Sequence, residues 1–432
     1  MPLTEDKADR NRYRRQWALL PAGGVLLARE DGFAGWSRTA VGQRVLCAHP
    51  DTHIAIKVVE GRTVIVLGIA FDTARRAIAS DPSSAPGSSS SDAITSWVVG
   101  LTGVFAVIAD TTDRGVVVLA DPGGIMGVYT DGQIVASTPV LWSVLEERYW
   151  PTAEPPRIES RDAIECVAKE FREAVQAVMT AHPSLLSITG GRDSRVYAAA
   201  CEGGEGRAFT IVRGSAGARD AEIAREICGA VGLEHELLTA GPVPEWLDRL
   251  YDGMTRGMVP PHRRRILEAC ARLATPDAVH INGNLGGLSK AFYWAGGTPA
   301  SVSAGDLVRD FLGVRAEAER GVRRWLDTTA ALPPRTVCIL MYLEQRGSRW
   351  MGPGETASAL FYQAFTSFSS RTFFDCYDGC PEPYQLSGRF LIDLVGELNP
   401  ALARIPYASG TSRLLRMIPK PVKVAVKKWI KK

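Results

Sequence analysis

One short segment constrains the fold of this chain more than any other. Residues 185–195 read LLSITGGRDSR, in which a short apolar run with one polar break ends in two glycines. An acid and a hydroxyl follow, and then the helix-compatible run VYAAA. This order predicts a strand, a tight loop and the N-terminus of a helix, where backbone N–H groups are left to face an anion. Because glycines let such a loop approach a phosphate closely, the segment predicts a site for the phosphates of a nucleotide.

The side chains of this loop suit the same ligand. Asp193 can hold a metal ion against a phosphate, and Thr189 and Ser194 offer hydroxyl donors. Two arginines at the start of the predicted helix, Arg192 and Arg195, could neutralise phosphate charge or could be solvated surface residues. The sequence leaves these two alternatives open.

Length and composition exclude several classes of protein. With 432 residues the chain is too long for one ordinary core and predicts two domains. A content of 46% apolar and 22% charged residues is typical of soluble globular proteins, and the net charge of +3 gives no case for nucleic acid. No apolar run reaches the length of a membrane-spanning helix. The longest candidate, residues 97–109, is broken by glycines and predicts a buried strand.

The cysteines and histidines predict neither a disulfide framework nor a metal site. The eight cysteines are scattered, and a polar, arginine-rich start rather than an apolar signal precedes them, so a reduced cytoplasmic setting is expected. Cys376 and Cys380 form a CxxxC pair with no second pair nearby, which makes a zinc site unlikely on spacing grounds. The six histidines also lack metal-ligand spacing.

Two regions of different character divide the chain. Residues 17–145 are rich in Val, Ile and Thr in short apolar runs, which predicts a β-rich domain of several strands. Within it, the Ser- and Pro-rich residues 79–90 predict a flexible loop. The proline-rich residues 150–156 predict a domain boundary. The first domain is therefore placed at 17–150, after a polar N-terminal arm at 1–16.

Beyond the boundary, helices and strands alternate. Apolar residues recur at helical spacing from Ile164 to Val178 and predict an amphipathic helix. Strands are predicted at 185–188 and 208–212, and a further helix at about 218–231. Such alternation predicts the α/β class, with a parallel sheet covered on both faces. Ligands of these sheets bind at the carboxyl ends of the strands, where the glycine loop lies.

At this point the residues resemble a known family. Residues 189–194, TGGRDS, look like the SGGxDS loop of ATP pyrophosphatases, with threonine in place of the first serine. Later segments narrow the resemblance to the asparagine synthetase-like branch. They are an FTI strand, an acid-bearing helix, a Gly-x-x-His turn, a second glycine-rich loop, an aromatic run and an IPYAS segment, at residues 209–211, 220–224, 232–235, 281–287, 290–294 and 405–409. More loosely, residues 101–108 and 119–124 resemble the glutaminase-type domain that precedes the synthetase domain in that family.

The resemblance implies a fold in two parts. A parallel-sheet ATP-pyrophosphatase domain, of the adenine nucleotide alpha hydrolase-like type, is expected at residues 151–412. It is expected to follow a β-rich, Ntn-hydrolase-like α+β domain at residues 17–150, which would be a degenerate glutaminase-like domain. The second glycine-rich loop is expected to close over the nucleotide.

Two departures from the family change the expected chemistry. Glutamine-hydrolysing members use a cysteine exposed directly after the initiator methionine, whereas this chain has Pro2, and its first cysteine is Cys47. Since a thiolate nucleophile needs an activating base and access, glutamine hydrolysis is not expected. In the second loop, Gly287 stands where members carry an acid, which puts the amide-forming step in doubt. Asp220 and Glu222 could compensate, but the sequence does not place them.

The resemblance implies an ATP-dependent carbon–nitrogen ligase. A substrate carboxylate would be activated as an acyl-adenylate with release of pyrophosphate. An amine, either free ammonia or an amino group of a larger substrate, would then form the amide. The alternative is a nucleotide-binding scaffold that has lost catalysis. The implied cofactors are ATP and Mg²⁺, and the implied partners are ATP and a carboxylate–amine substrate pair, with no nucleic acid.

The expected site residues follow from the loop and from the resemblance. Asp193 is the expected metal ligand and, with Lys290, an expected catalytic residue, and Lys290 could also neutralise phosphate charge. Besides Asp193, the expected nucleotide-binding residues belong to the first loop, the adenine-contacting strand and the second loop. They are Ser187, Thr189, Gly190, Gly191, Ser194 and Arg195; Thr210 and Ile211; and Gly283, Asn284 and Gly286.

The C-terminal tail at residues 413–432 carries eight basic residues and no acid, with apolar residues interleaved. A solvated terminal helix is slightly favoured over contact with an anionic membrane surface. The expected location is therefore the cytoplasm, with membrane association as the alternative. Family members also tend to supply a lysine to the pyrophosphate from this region, and Lys420 and Lys423 are the two candidates.

Overall fold

The computed structural model describes most of the chain between residues 13 and 408. The described ranges are 13–23, 35–81, 83–130, 132–138, 155–201, 206–212, 214–255, 257, 259–273, 275, 277–309 and 316–408. Most of the predicted arm at 1–16, the predicted boundary at residue 150 and the whole tail at 413–432, with Lys420 and Lys423, lie outside these ranges.

Antiparallel strands build the first part of the chain. They are β1 (Trp17–Pro21), β2 (Ser37–Val41), β3 (Arg44–Ala48), β4 (Ile54–Val59), β5 (Arg62–Asp72), β6 (Ala77–Ile78), β7 (Leu101–Thr111), β8 (Gly115–Ala120), β9 (Tyr129–Thr130) and β10 (Val135–Ala136). One sheet has the order β2-β3-β1-β10-β9, and the other has the order β4-β5-β7-β8 with β6 paired to β5. The β-rich character is confirmed, whereas the assignment to the Ntn-hydrolase type stays a prediction.

Alternating residues of β5 explain how the two sheets pack. Ile65 and Leu67 join a cluster with Trp17 of the other sheet. Val64 and Val66 join a cluster on the opposite face, which helix α1 (Ser91–Val99) covers. Because successive side chains of a strand point to opposite faces, this sheet is buried on both sides. Its central strands are therefore almost continuously apolar.

The predicted strand at residues 97–109 is wrong at its start. Residues up to Val99 belong to helix α1, and strand β7 begins at Leu101. The Ser90 hydroxyl caps this helix by accepting a hydrogen bond from the backbone N–H of Ala93 at 3.3 Å. The cap and the helical register outweigh the strand-like composition of the Trp97–Val99 stretch.

The Ser- and Pro-rich residues 79–90 are irregular, as expected, but they are held in place rather than loose. The Ser84 hydroxyl donates to the Asp72 carboxylate at 2.8 Å, and the Ser89 hydroxyl donates to Glu60 at 2.7 Å. Both serines are buried. The low apolar content of this segment predicted a flexible loop. In the structure, hydrogen bonds from its serine hydroxyls to carboxylates tie it to strand β5 and to the turn before that strand.

A parallel sheet forms the second part of the chain, as predicted. Its strands are β11 (Ser184–Ser187), β12 (Arg207–Val212), β13 (Glu234–Thr239), β14 (Val279–Ile281) and β15 (Gln363–Phe365). Their order is β13-β12-β11-β14-β15, and all neighbours are parallel. The chain moves outward from β11 to β13 and then returns to β14 on the other side of β11. The strand order therefore reverses between the neighbouring strands β11 and β14. Their carboxyl ends form a topological switch point, where open parallel sheets bind ligands.

Helices cover both faces of this sheet. They are α2 (Ser160–Ala181), α3 (Asp193–Ala200), α4 (Gly214–Val231), α5 (Glu245–Thr255), α6 (Pro261–Ala271), α7 (Ala304–Arg309), α8 (Ala316–Thr328), α9 (Pro334–Leu340), α10 (Gly352–Ser358), α11 (Arg371–Gly379), α12 (Glu382–Ser387), α13 (Phe390–Leu398) and α14 (Pro400–Arg404), with a 3₁₀ turn at Gly286–Lys290 and a π-helical stretch at Met341–Met351. Leu185 packs with residues of α5 and α6, whereas Leu186 packs with residues of α2 and α3. The predicted helices near 164–178 and 218–231 are confirmed as α2 and α4.

Buried hydrogen bonds join the two parts. The Ser369 hydroxyl, just beyond β15, donates to Asp121 at 2.6 Å and accepts from the Gly123 N–H at 2.8 Å. The N–H of Gly103 on β7 donates to the Ser369 carbonyl at 3.1 Å. The antiparallel part therefore contacts the loop at the carboxyl end of β15. In the part of the chain that the structure describes, no helix combines the length and apolar character needed to cross a membrane.

Candidate functional site

The first glycine loop joins β11 to α3 as the sequence predicts. The Thr189 and Ser194 hydroxyls lie 3.0 Å apart and close the loop across its base. The Ala408 N–H donates to the Gly190 carbonyl at 2.9 Å, which ties the late IPYA segment to the loop. A Cβ on Gly190 would lie 2.7 Å from the Ala408 Cβ, so only glycine fits there.

Three backbone N–H groups of this loop are not free to face an anion, contrary to expectation. The Thr189 N–H donates to Ser194 Oγ at 3.0 Å, and the Gly191 N–H donates to Thr189 Oγ1 at 3.1 Å. The Gly190 N–H donates to the Asp220 carboxylate at 2.7 Å. Two of these N–H groups therefore donate to hydroxyls of the loop itself, and the third donates to the carboxylate of Asp220 on α4. An anion would depend on the first-turn N–H groups of α3, which lack intrahelical acceptors, and on nearby cationic side chains.

The second glycine loop packs directly against the first. A Cβ on Gly283 would lie 3.0 Å from the Asp193 Cβ, and one on Gly286 would lie 3.1 Å from the Asp193 Cβ and Cγ. The N–H of Asn284 donates to the Asn282 side-chain oxygen at 3.0 Å and shapes this loop. Both loops therefore meet at Asp193, above the switch point between β11 and β14.

Lys290 completes this meeting point. Its ammonium donates to Asp193 Oδ2 at 2.6 Å. The other carboxylate oxygen, Asp193 Oδ1, is buried and has no hydrogen-bond partner among the described residues. The two residues that were predicted as catalytic are thus in contact with each other, and their catalytic role stays a prediction.

Two adjoining cavities lie at this point. The smaller has a volume of about 360 Å³ and the larger about 810 Å³. The smaller is lined by Ser187, Thr189, Gly191, Arg192, Asp193, Ser194, Gly283 and Lys290. Ser187, Thr189 and Gly283 line both cavities, so the two lie side by side. We call the smaller one the phosphate cavity and the larger one the cleft.

The cleft lies between the sheet and helix α6. Its apolar wall includes Phe209, Ile211 and Leu267, and Trp350 stands at its side. The side-chain amide of Asn284 donates to the Glu355 carboxylate at 2.6 Å, and both residues line the cleft. A volume of about 810 Å³ with mixed apolar and polar walls is typical of small-molecule sites.

Two polar side chains, one on β14 and one on the residue after it, line the cleft with nitrogen atoms that lack hydrogen-bond partners among the described residues, and the sequence analysis missed both. His280 and Asn282 are 8% and 6% exposed, and both line the cleft. Neither His280 ring nitrogen has a partner among the described residues, and neither does the Asn282 Nδ2. Burial, and then the charge of Arg263, lowers the pKa of His280 to about 3, so this ring is neutral. Buried polar groups without partners are rare and point to a missing ligand or water.

A sequence signal for these residues existed. The VHIN run places polar side chains at alternate positions of a strand that is otherwise apolar, which puts both on one face. In a buried parallel strand such polar positions are unusual and indicate a site. By contrast, Arg263, Trp350 and Glu355 come from distant segments, and no local pattern marks them.

Arg195 lines neither cavity, and nothing in the structure supports its predicted contact with the nucleotide. The residue is fully buried, and its guanidinium donates to the carbonyls of Leu402 and Ile405 and to that of Pro406, the last at 2.7 Å. It also stacks on the Tyr407 ring, with 3.8 Å from the guanidinium carbon to the ring centroid. Arg195 thus anchors the 402–407 segment instead of neutralising phosphate.

Arg192, by contrast, lines the phosphate cavity while its Nη1 donates to the Gly388 carbonyl at 2.6 Å. Three further residues that were predicted to bind the nucleotide, Ser187, Ile211 and Asn284, line the cleft. Gly286 lines neither cavity and instead packs on Asp193. Glu222 is exposed. These placements are compatible with the predicted binding roles, which stay predictions.

Thr210 supports the loop rather than the cleft. Its hydroxyl donates to the Ile188 carbonyl at 2.6 Å and lies 2.8 Å from His235 Nε2. The side chain is buried, so only its backbone could contact a base. The FTI strand and the Gly-x-x-His turn are therefore linked physically: His235 positions Thr210, and Thr210 positions the end of β11.

The structure leaves no room for a side chain at Gly287, the position where the resemblance leads us to expect an acid. The hydroxyl of Tyr342 lies so close to Gly287 that an added Cβ would collide with it. Tyr342 is buried, and burial raises the pKa of its hydroxyl. A neutral phenol thus fills the space that a side chain at this position would need. Asp220 accepts from the glycine loop through Oδ1 and also lines the cleft, and its compensating role stays a prediction.

Cys47 has no features of a nucleophile. It is buried in β3, and burial raises the pKa of its thiol. A raised pKa disfavours the thiolate form that nucleophilic attack requires. These observations agree with the expectation that glutamine is not hydrolysed.

The two carboxylate oxygens of Asp193 differ in how well they suit a magnesium ion. Asp193 Oδ1 is buried without a partner, as an unfilled ligand position would be, but Oδ2 is already held by an ammonium. Mg²⁺ at nucleotide sites is held by one or two carboxylates together with phosphates and water, so one aspartate can suffice. Among the described residues, no group of three or more His, Cys, Asp or Glu side chains is placed to hold a metal.

Comparisons with known proteins leave the family open. No protein-family model matches the chain, and no curated protein matches it. Among solved structures, the chain is similar to the NH3-dependent NAD synthetase from Campylobacter jejuni in complex with the nitrate ion, at 13% identity and a TM-score of 0.23. The match covers 44% of this chain and 94% of that one. At this TM-score the likeness decides nothing about function, and the asparagine synthetase-like assignment stays a prediction.

Proposed function

We propose that the chain is an ATP-dependent ligase that activates a carboxylate as an acyl-adenylate and forms an amide without hydrolysing glutamine. One observation carries the proposal: a cavity of about 360 Å³ lined by hydroxyls and an ammonium adjoins a larger cleft at the switch point of a parallel sheet. A nucleotide has the same two-part character. Its charged tail suits the phosphate cavity, and its nucleoside suits the cleft.

The cleft supplies contacts for a planar base. Phe209, Ile211 and Trp350 offer apolar surface. The Asn282 side-chain oxygen accepts from the Asn284 N–H, which leaves its amide nitrogen as the donor without a partner. The neutral His280 ring offers one donor and one acceptor. Adenine has both acceptor nitrogens and a donor amino group, so it can satisfy all three groups.

The phosphate cavity supplies charge for the leaving group. A carboxylate oxygen is a poor leaving group, and its conversion to an acyl-adenylate makes AMP the leaving group instead. As pyrophosphate departs, negative charge grows on its oxygens, and Lys290 with the Thr189 and Ser194 hydroxyls can stabilise it. A bound Mg²⁺ would add Lewis-acid stabilisation of the same charge, with Asp193 as the residue to hold it.

The amine would come from outside the N-terminal part. Cys47, the first cysteine of the sequence, is buried in β3 and does not suit the role of a glutaminase nucleophile. The amine is therefore free ammonia or an amino group of a larger substrate. This second step is proposed from the resemblance.

A second candidate is a nucleotide-binding scaffold without catalysis. Tyr342 at Gly287 favours it, because no carboxylate stands there to accept a proton from an attacking amine. The two candidates share the binding site and differ only in the reaction that follows binding.

ATP–pyrophosphate exchange measured across a panel of carboxylic acids separates the candidates. A ligase catalyses exchange with at least one acid, and Asp193→Ala abolishes it. ATP binding without exchange on any acid supports the scaffold. Failure of the wild-type protein to bind ATP at all contradicts both.

The basic tail adds a proposal of its own. If residues 413–432 contact an anionic surface, the full-length protein should sediment with anionic vesicles more than a version ending at Leu415. Equal sedimentation of the two would dismiss a membrane role for the tail.

A further inference from the structure

We propose that Lys290 is a built-in cation of the phosphate cavity, which lets the site bind a polyphosphate without a divalent metal. The inference rests on the proposed function, since it concerns how the same cavity holds its anion. It assigns the ligand class as pyrophosphate or the polyphosphate tail of a nucleotide. It also assigns Asp193 a positioning role toward Lys290, in place of a purely metal-binding one.

The contact between the two side chains is the first observation. The Lys290 ammonium lies 2.6 Å from Asp193 Oδ2, at the carboxylate that a metal would need. The Lys290 ammonium therefore occupies the position beside Asp193 Oδ2 that a metal ion would take. Among the described residues that line the phosphate cavity, Asp193 is the only acid, so this lining offers no second carboxylate to a metal ion.

The backbone around Lys290 is the second observation. Leu285 and Ala291 flank its 3₁₀ turn, and both adopt left-handed conformations, with φ of 71° and 47°. For residues other than glycine such conformations are unfavourable and persist only where the surroundings impose them. Both residues are buried, and the Ala291 N–H donates to the Tyr377 hydroxyl at 3.2 Å. The turn is thus held in a costly shape that carries Lys290 to Asp193.

Stability alone does not explain this arrangement. The side chains of Lys290 and Asp193 are 38% and 29% exposed, and ion pairs exposed to that degree contribute little to the free energy of folding. The half-exposed lysine can instead turn from Asp193 toward an anion within the same cavity. The Thr189, Gly190 and Gly191 N–H groups already donate to acceptors inside the protein. An anion in the phosphate cavity therefore depends more on the positive charge of Lys290 than the glycine loop in the sequence would suggest.

A calorimetric titration with inorganic pyrophosphate tests the inference. It compares the wild type, Lys290→Met and Lys290→Arg, each with excess EDTA and with Mg²⁺. The control is Lys169→Met, which removes a lysine from the exposed side of α2 and away from the cavity. Circular dichroism and thermal unfolding establish that each variant is folded.

The wild type and the Lys169→Met control should bind pyrophosphate in EDTA, and Mg²⁺ should change their Kd little. Lys290→Met should raise the Kd in EDTA at least about tenfold, as expected when a charge-assisted hydrogen bond is lost. Mg²⁺ should then restore part of the affinity, because Asp193 is released to bind it. Lys290→Arg, which keeps the charge, should bind in EDTA more tightly than Lys290→Met.

The outcomes separate this inference from the proposed function. If the wild type binds pyrophosphate only with Mg²⁺, or if Lys290→Met binds as well as wild type in EDTA, the inference is overturned while the nucleotide site stands. If pyrophosphate and ATP both fail to bind under every condition, the proposed function itself is wrong.

Discussion

Arg195 illustrates how a residue next to a predicted binding loop can serve the fold instead. Its guanidinium satisfies carbonyls of Leu402, Ile405 and Pro406, which the sequence cannot connect to residue 195 because they lie more than two hundred positions away. The position of Arg195 in the first turn of a predicted helix does not show whether its guanidinium faces a phosphate or the protein interior. The local sequence did predict the loop itself, since glycines, acid and hydroxyls at fixed spacing act locally.

Replacing Arg195 with methionine should destabilise the protein strongly. The substitution keeps the side-chain length but leaves buried carbonyls without donors, and we expect a loss of at least about 2 kcal/mol in the free energy of unfolding. Arg161→Met is the control, because the Arg161 side chain is 88% exposed, and it should cost no more than about 0.5 kcal/mol. Urea unfolding measures both. Equal effects of the two substitutions would contradict the anchoring role.

His280 makes a pH-dependent contribution to stability. Its pKa in the folded state is about 3, below the ordinary 6.5, so the unfolded chain takes up a proton on this residue that the folded chain does not. Stability is therefore highest above pH 6.5 and falls as the pH drops from there toward 3. Between pH 7 and pH 5 the loss from this residue is about 2 kcal/mol.

The His280→Leu variant should lack that loss. Urea unfolding at pH 7 and at pH 5 gives the drop in free energy for wild type and variant, and other titrating groups cancel when the two drops are compared. We expect the drop to be smaller by about 2 kcal/mol in the variant. The same drop in both proteins would show that His280 is protonated in the folded state.

At the scale of elements, the sequence predicted some features and missed others for identifiable reasons. Helix α2 and strand β11 have strong apolar periodicity and were predicted at nearly their observed positions. Helix α1 was missed because its last residues, Trp97–Val99, have strand-like composition while its capping serine lies in a Ser-rich stretch that looks disordered. A cap is a hydrogen bond, and composition does not show it.

The join between the antiparallel part and the parallel sheet yields a prediction at this scale. The buried Ser369 hydroxyl donates to Asp121 and accepts from the Gly123 N–H, so Ser369→Ala removes two hydrogen bonds between elements of the two parts. We expect a loss of about 1.5–3 kcal/mol in the free energy of unfolding. Ser301→Ala, at an exposed position, should be nearly neutral. Unfolding curves that coincide for the two variants would show that the join contributes nothing.

At the scale of the whole molecule, the site depends on segments that are far apart in the chain. The switch point between β11 and β14 follows from strand order, and the alternation of helices and strands predicted the parallel sheet but not that order. The cleft walls come from α6 and from residues 350–355, which only the tertiary fold brings to β14. The phosphate cavity was therefore predictable in outline from one local motif. The cleft was not, because no single segment encodes it.

Titration calorimetry with ATP tests the two-cavity account most directly. Ile211→Trp would fill the cleft, and Ile56→Trp makes the same change at a position on β4 that is 54% exposed. Wild type and Ile56→Trp should bind ATP with the same Kd, whereas Ile211→Trp should weaken ATP binding at least about tenfold and leave pyrophosphate binding unchanged. ATP binding that is absent from the wild type, or that survives intact in Ile211→Trp, would contradict the account.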